Sequence, residues 1–96
     1  MAFKDFRARL SGRGMNLRSA FGAGATAGSA ITITGIAVGD EIAAAYNVAP
    51  PTAGSGGTLV TNLIAEISVS AANTVVCATT NTTGNQVLVF WWAVNP

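Results

Sequence analysis

The sequence contains no histidine and a single cysteine, Cys77. One cysteine excludes an intrachain disulfide, and the lack of histidine removes the base on which Ser–His and Cys–His nucleophilic sites depend. A metal centre held by protein side chains would also lack its usual nitrogen and sulfur ligands. The sequence therefore predicts a protein that is not an enzyme, with no cofactor and no small-molecule substrate.

Charge is scarce and unevenly distributed. Only 9% of the residues are charged, against about 25% in ordinary soluble domains. Residues 1–18 hold every Lys and Arg of the chain, five in all, with one acid, for a net charge of +4. Residues 19–96 have a net charge of −3, from Asp40, Glu41 and Glu66. A surface so poor in charge is hard to keep soluble as a monomer, so we expect packing against neighbouring subunits.

Long runs of strongly apolar residues are absent from the region after the basic start. Residues 19–39 are uncharged but consist largely of Gly, Ala, Ser and Thr. A signal peptide or a spanning helix is the alternative interpretation of a basic start followed by an uncharged stretch. Because the stretch lacks the Leu, Ile, Val and Phe content that drives insertion, we expect no membrane partner.

The basic residues belong to an extended N-terminal arm, residues 1–20. Phe3, Phe6 and Leu10 are spaced as one face of a short helix, which residues 11–14 (SGRG) would interrupt. An isolated helix of this length is marginal in water, so we expect the arm to order on a partner. The predicted partner-binding residues are Phe3, Lys4, Phe6, Arg7, Arg9, Leu10, Arg13 and Arg18. A solubilising tail and a nucleic-acid-binding arm remain alternatives to this docking role.

Residues 21–29 form a predicted Gly/Ala linker, and residues 30–96 a β-rich body. Short alternating runs separated by turn signals predict an all-β fold, a small antiparallel β-sandwich or barrel. One run predicts a shared face for Ile42, Ala44, Tyr46 and Val48. Another predicts a shared face for Leu63, Ala65, Ile67 and Val69. Cys77 is expected to be a small core residue, and Glu66 a solvated or interface-rim residue.

The last strand, residues 86–94, is apolar on both faces, whereas antiparallel strands usually have one solvated face. One interpretation is a central strand whose outer face is covered by the linker. The other is that this face packs on another subunit, since Trp and Phe are enriched in interface cores. The small size of the core favours the second. The predicted self-association residues are Phe90, Trp91 and Trp92, and the pattern leaves open which tryptophan faces the core.

The body resembles small virion proteins of tailed bacteriophages over about residues 30–94. The resemblance lies in TITGI followed by GD, in SVSAANTV, and in NTTGNQVLVFWW, a turn that leads into the closing strand. It implies a decoration or cement protein of the capsid, made in the host cytoplasm and present in the virion. The implied partners are the major capsid protein and further copies of the chain, most often as a homotrimer.

In this hypothesis the arm docks on the shell and the body self-assembles. Deletion of residues 2–20 should then abolish capsid binding and leave the body folded. A tail, neck or spike component of the same virion is one alternative. A small nucleic-acid-binding protein that uses the basic arm is another, although the body offers no positive surface to assist it.

Overall fold

The computed structural model describes residues 16–50 and 57–93, which form two antiparallel β-sheets. The strands are β1 (Asn16–Ala23), β2 (Ala30–Thr32), β3 (Glu41–Ala49), β4 (Thr58–Asn62), β5 (Ile67–Ala71), β6 (Thr74–Cys77) and β7 (Gln86–Ala93). One sheet has the order β1-β7-β3-β4 and the other β2-β6-β5. The prediction of a small antiparallel all-β fold is confirmed, and the two separate sheets make it a sandwich.

Strand β7 lies inside the four-stranded sheet, between β1 and β3. Its burial alternates strictly, because successive side chains of a strand point to opposite faces. Val87, Val89, Trp91 and Ala93 face inward and meet residues of the smaller sheet such as Ile31 and Val75. The full core consists of Ile31, Ile33, Ile36, Ala45, Leu63, Val75, Cys77, Val87, Val89, Trp91 and Ala93. Trp91 is its largest side chain.

Strand β1 crosses the boundary that the sequence placed between arm and linker. It begins at Asn16 and ends at Ala23, and it pairs along its whole length with β7. Residues 16–20 therefore belong to the sheet, and residues 21–23 continue the strand. The remaining linker residues, 24–29, connect β1 of one sheet to β2 of the other. The part of the arm that precedes the sandwich is residues 1–15, which lie outside the described residues.

Two predicted strands differ from the structure. In β3 the register shifts between Ile42 and Ala44, so Ile42 lies opposite the inward Trp91 while Ala44 lies opposite Phe90. The shared face predicted for Ile42 and Ala44 is therefore wrong, because a bulge moves the following residues to the other face.

The run from 58 to 70 is likewise two strands and not one. The chain turns after Leu63, where the backbone N–H groups of Glu66 and Ile67 both donate to the Leu63 carbonyl at 3.0 and 3.1 Å. Strand β4 ends before this turn in one sheet, and β5 begins after it in the other. Leu63 stays in the core while Ala65 is exposed, so the common face predicted for those residues is also wrong.

Candidate docking surface

The outward face of the four-stranded sheet carries rows of apolar and aromatic side chains. Residues directly opposite one another in an antiparallel pair point to the same face. Leu88 is opposite Phe21 on β1 and Tyr46 on β3, which gives one row. Trp92 is opposite Leu17 and Glu41, which gives a second row at the end of the sheet. Phe90, between Ser19 and Ala44, lies between these rows.

We name this surface the outer apolar face and define it by Leu17, Phe21, Tyr46, Leu88, Phe90 and Trp92. Four of the seven aromatic residues of the chain lie on it. Leu17 and Phe21 are 53% and 56% exposed, and the other four are partly exposed. Contiguous exposed apolar surface of this kind marks a site of protein–protein or membrane contact in soluble proteins.

The linker does not cover this face within the described part of the chain. Residues 24–29 hydrogen-bond to the ends of the sheets: the N–H of Gly24 donates to Asn85 O at 2.9 Å, and that of Gly28 donates to Cys77 O at 2.8 Å. Thr82 clamps Ala25, since its hydroxyl accepts from the Ala25 N–H at 3.0 Å and donates to the Ala25 carbonyl at 3.1 Å. The segment is thus held where it passes between the sheets.

The predicted self-association residues divide between the two faces. Phe90 and Trp92 lie on the outer apolar face, whereas Trp91 is 1% exposed and fills the core. Trp91 is therefore removed from the set, because its side chain is enclosed by its own chain. Trp91 is thus the tryptophan that faces the core, and Trp92 faces outward. Its indole N–H has no hydrogen-bond partner among the residues described.

The predicted arm residues fall largely outside the described residues. These are Phe3, Lys4, Phe6, Arg7, Arg9, Leu10 and Arg13. Arg18 is described and belongs to β1, opposite Trp91, where it is partly buried. It is thus a residue of the sheet. In the sequence analysis Arg18 was grouped with the basic arm, but it does not belong to the segment that precedes β1.

Sequence reasoning missed Leu17, Phe21 and Tyr46 as members of the surface. A signal was present, because Leu17, Ser19 and Phe21 alternate with Arg18 and Ala20 as a strand would. The abundance of Gly and Ala after Phe21 concealed it. Tyr46 shares its face with Ala44 and Val48, as predicted. Ile42, which was grouped with them, faces inward, because the bulge in β3 cannot be recognised from alternation alone.

Glu66, expected to be a solvated or interface-rim residue, lies in the turn between β4 and β5 and binds the segment after β6. Its Oε1 accepts the backbone N–H groups of Thr79 and Thr80 at 3.2 and 2.8 Å. Its Oε2 accepts their hydroxyls at 3.1 and 2.8 Å. These bonds, the Thr80 hydroxyl foremost, lower the pKa of the Glu66 carboxyl because they favour its charged form. The arrangement is a structural clamp.

Chemistry-bearing groups are few in the described residues. Burial raises the pKa of the Cys77 thiol, and the Glu66 charge adds to this, so the thiol stays protonated and unreactive. No group of three or more metal-ligating side chains occurs there. No helix in residues 16–50 or 57–93 has the length and apolarity needed to cross a membrane.

An open groove between the Gly39–Asp40 turn and β5 is lined mainly by aliphatic side chains such as Ile42, Ile67 and Val69. Its one carboxylate, Asp40, accepts the Ala37 N–H at 2.9 Å and so closes its own turn. Paired carboxylates or a base next to a nucleophile are missing from this lining.

Comparison of the chain with protein-family models, curated proteins and solved structures found no match.

Proposed function

We propose that the protein is a structural subunit that assembles with copies of itself through the outer apolar face. The observation that carries this proposal is the line of Phe90 and Trp92 on a central strand, partly exposed to solvent. Each has an apolar neighbour on one side, Ala44 beside Phe90 and Leu17 beside Trp92. Aromatic side chains at the centre of a patch supply most of the binding energy of protein interfaces. The low charge of the body suits a surface that becomes buried.

The specific role that we propose is capsid decoration in a tailed bacteriophage, with the protein as a homotrimer on the head shell. Support comes from the resemblance of residues 30–94 and from the β-sandwich body with an apolar face. A tail, neck or spike component is the alternative within the same class. The copy number per particle separates them, since a decoration protein is required in far more copies than a tail component.

Nucleic-acid binding by the arm is the alternative of another class. Arg18 is the one basic residue in the described part of the chain, and the sandwich therefore offers no positively charged groove. Such an arm acting alone would lose DNA affinity steeply as salt rises, because phosphate contacts release counterions. DNA binding that persists at high salt, or that is absent, removes this alternative.

The test of the self-assembly proposal is the double variant Phe90→Thr/Trp92→Thr in the full chain. Threonine keeps strand propensity while it removes the aromatic surface. We expect the variant to remain folded by circular dichroism. It should lose at least about tenfold in self-association constant, because truncation of central aromatic side chains costs 2 kcal/mol or more. Light scattering over a concentration series gives the constant.

The matched control is Ile64→Thr, which removes an exposed aliphatic side chain from the turn after β4 and not from the outer apolar face. We expect the control to associate as the unchanged protein does. If Phe90→Thr/Trp92→Thr associates as strongly as the control, the outer apolar face is not the assembly surface and the proposal fails.

A further inference from the structure

Strand β5 lies at an edge of the three-stranded sheet, where β6 is its one neighbour among the described strands. Its regularly paired part is residues 67–69, since the register with β6 shifts between Val69 and Ala71. The strand contains no charged residue and no proline. Sheet proteins usually protect an edge with such residues, so an edge that lacks them is open to pairing with a further strand.

The backbone hydrogen bonds show which groups of β5 point to the free edge. The Glu66 carbonyl accepts a backbone N–H just after β6 at 3.2 Å, so Glu66 is directed toward that strand. Because bonding direction alternates along an antiparallel strand, Ser68 is directed the same way, whereas Ile67 and Val69 are directed away from β6. The Ile67 N–H accordingly donates to the Leu63 carbonyl at 3.1 Å. The Ile67 carbonyl and both backbone groups of Val69 therefore point to the free edge.

The open groove described above runs along this edge. Its aliphatic lining includes Ile42, Ile67 and Val69, which are partly buried against the core. The groove is open because β4 pairs with β3 at residues 46–49, so that residues 41–44 have no strand beside them on that side in the described chain. A free backbone edge next to an apolar groove is the combination that accepts an added strand, through backbone bonds and alternate side chains.

The three other sheet edges suit an added strand less well. Strand β1 carries the charge of Arg18. Its Gly22 also lies against the Thr32 carbonyl, so β1 and β2 partly cover each other's edges. In β4, Val60 is left out of the pairing with β3, and such a bulge turns an edge away from a partner. The edge of β5 is thus the one at which a further strand fits best.

The groove and the edge specify an extended segment without charge. Asp40, the carboxylate of the groove, accepts the Ala37 N–H at 2.9 Å within its own turn. Strand β5 of a second copy has the required chemistry, because an uncharged strand meets itself without like-charge repulsion. Antiparallel pairing in which Ile67 lies opposite Val69 of the second copy also matches aliphatic side chains on the groove side. Ser68 then lies beside the two-fold axis.

We propose that β5 pairs with β5 of a second copy about this two-fold axis. The three-stranded sheets of the two copies then form one continuous six-stranded sheet, and the two aliphatic grooves meet across the axis. Such an interface is isologous, with the same surface contributed by both subunits. It is distinct from the outer apolar face and does not rest on it. Pairing at the edge would join oligomers that form through that face into larger assemblies.

The test is a charge exchange at Ser68, in a full chain that also carries Phe90→Thr/Trp92→Thr to remove association through the outer apolar face. Ser68 is exposed, so charged side chains are tolerated in the folded chain. We expect the background protein to form a dimer of the 9.6 kDa chain by light scattering. Added Ser68→Arg or Ser68→Glu should each lower the dimerisation constant at least about tenfold, because like charges would meet at the axis.

An equimolar mixture of the two charged variants should restore dimerisation, since opposite charges then meet. The matched control is Ala30→Arg, because Ala30 is exposed and shares the row of Ser68 on the opposite edge strand. We expect the control to dimerise as the background does. Equal constants for Ser68→Arg and Ala30→Arg overturn the proposal, and so does a mixture that associates no better than its components.

A second measurement keeps Phe90 and Trp92 and uses Ser68→Cys with oxidised glutathione. At a non-hydrogen-bonded cross-strand pair the Cα atoms are about 4.5 Å apart, within the range that a disulfide spans. We expect a covalent dimer from Ser68→Cys and none from Ala30→Cys. Equal cross-linking of the two variants would contradict pairing at β5.

The two proposals fail separately. If Phe90→Thr/Trp92→Thr is a monomer at every concentration while the unchanged chain associates, and Ser68→Cys does not cross-link, the outer apolar face assembles and β5 does not pair. If Phe90→Thr/Trp92→Thr associates as the unchanged chain does and Ser68→Arg dissociates it, β5 pairs and the assembly role of the face is wrong.

Discussion

At the scale of single residues, close backbone contacts determine which side chains the sandwich tolerates. A Cβ atom on Gly22 would overlap the Thr32 carbonyl oxygen and approach Ile33 Cδ1 to 2.9 Å. A Cβ atom on Gly24 would overlap the carbonyl of Thr82. Both glycines lie where the chain leaves β1 and approaches the second sheet. Their small size, more than their flexibility, is what this junction requires.

Gly22→Ala should lower the free energy of unfolding by about 2 kcal/mol, since the contacting atom is backbone and the strands must separate to admit the methyl group. Urea denaturation followed by circular dichroism measures the loss. Ser19→Ala is the matched control, because it places the same side chain on an exposed outward position of the same strand. Equal stability of the two variants would contradict the close packing of β1 on β2.

Glu66 makes the stability depend on pH. Its hydrogen bonds lower the pKa of the folded carboxyl below the ordinary value of 4.5, so on acidification the unfolded chain binds the proton first. The stabilisation is complete above pH 4.5 and is lost as the pH falls through the lower folded pKa. Thermal denaturation across this range should show a steeper loss for the natural chain than for Glu66→Gln.

The control for that prediction is Glu41→Gln at high salt, which removes an exposed carboxylate without touching the clamp. Its acid transition should follow that of the natural chain. Parallel curves for Glu66→Gln and the natural chain would mean that the bonds to Thr79 and Thr80 do not stabilise the fold.

At the scale of elements, β1 is a structural strand although its sequence adjoins the basic arm. It supplies one of the two partners of β7 and contributes the partly buried Ala20 next to the core. Deletion of residues 2–20 was predicted from the sequence to leave the body folded. It would instead remove more than half of β1. The segment that can be removed without loss of sheet pairing ends at residue 15.

Two deletions test this boundary. Removal of residues 2–15 should leave the thermal midpoint nearly unchanged, because every described strand is retained. Removal of residues 2–23 exposes one edge of β7 and part of the core, so the midpoint should fall by about 10 °C or more. Scanning calorimetry gives both values. Equal midpoints for the two deletions would show that β1 adds nothing to the stability of the sandwich.

Alternation in the sequence predicted most of the fold, because burial on one side of a strand imposes a period of two. Ile31 and Ile33, Val75 and Cys77, and the inward residues of β7 followed this rule. The turn in NTTGN, residues 81–85, was also predicted, and Gly84 within it has positive φ. The bulge in β3 was not predicted, since alternation does not mark an inserted residue. The turn after Leu63 was not predicted either, since Leu63, Ala65, Ile67 and Val69 keep a period of two through it. Phe90 and Trp92 were predicted for the candidate surface, but its β1 and β3 members depend on pairings that alternation does not encode.

At the scale of the whole molecule, apolar surface and positive charge are kept apart. The sandwich encloses one core, leaves a second apolar face on its outer side and carries three acids. The basic side chains other than Arg18 lie before β1. The proposed account assigns the face to self-assembly and the basic segment to docking. The first assignment rests on the outward position of Phe90 and Trp92.

The most direct measurement is the mass of the unchanged protein in solution, by light scattering over a range of concentrations at low and high salt. The account predicts a mass that rises from the 9.6 kDa chain toward a closed oligomer, with a trimer as the proposed end point. High salt should preserve the association, because the interface is apolar and depends little on charge pairs that salt would screen. A folded monomer at every concentration and salt would contradict self-assembly through the outer apolar face.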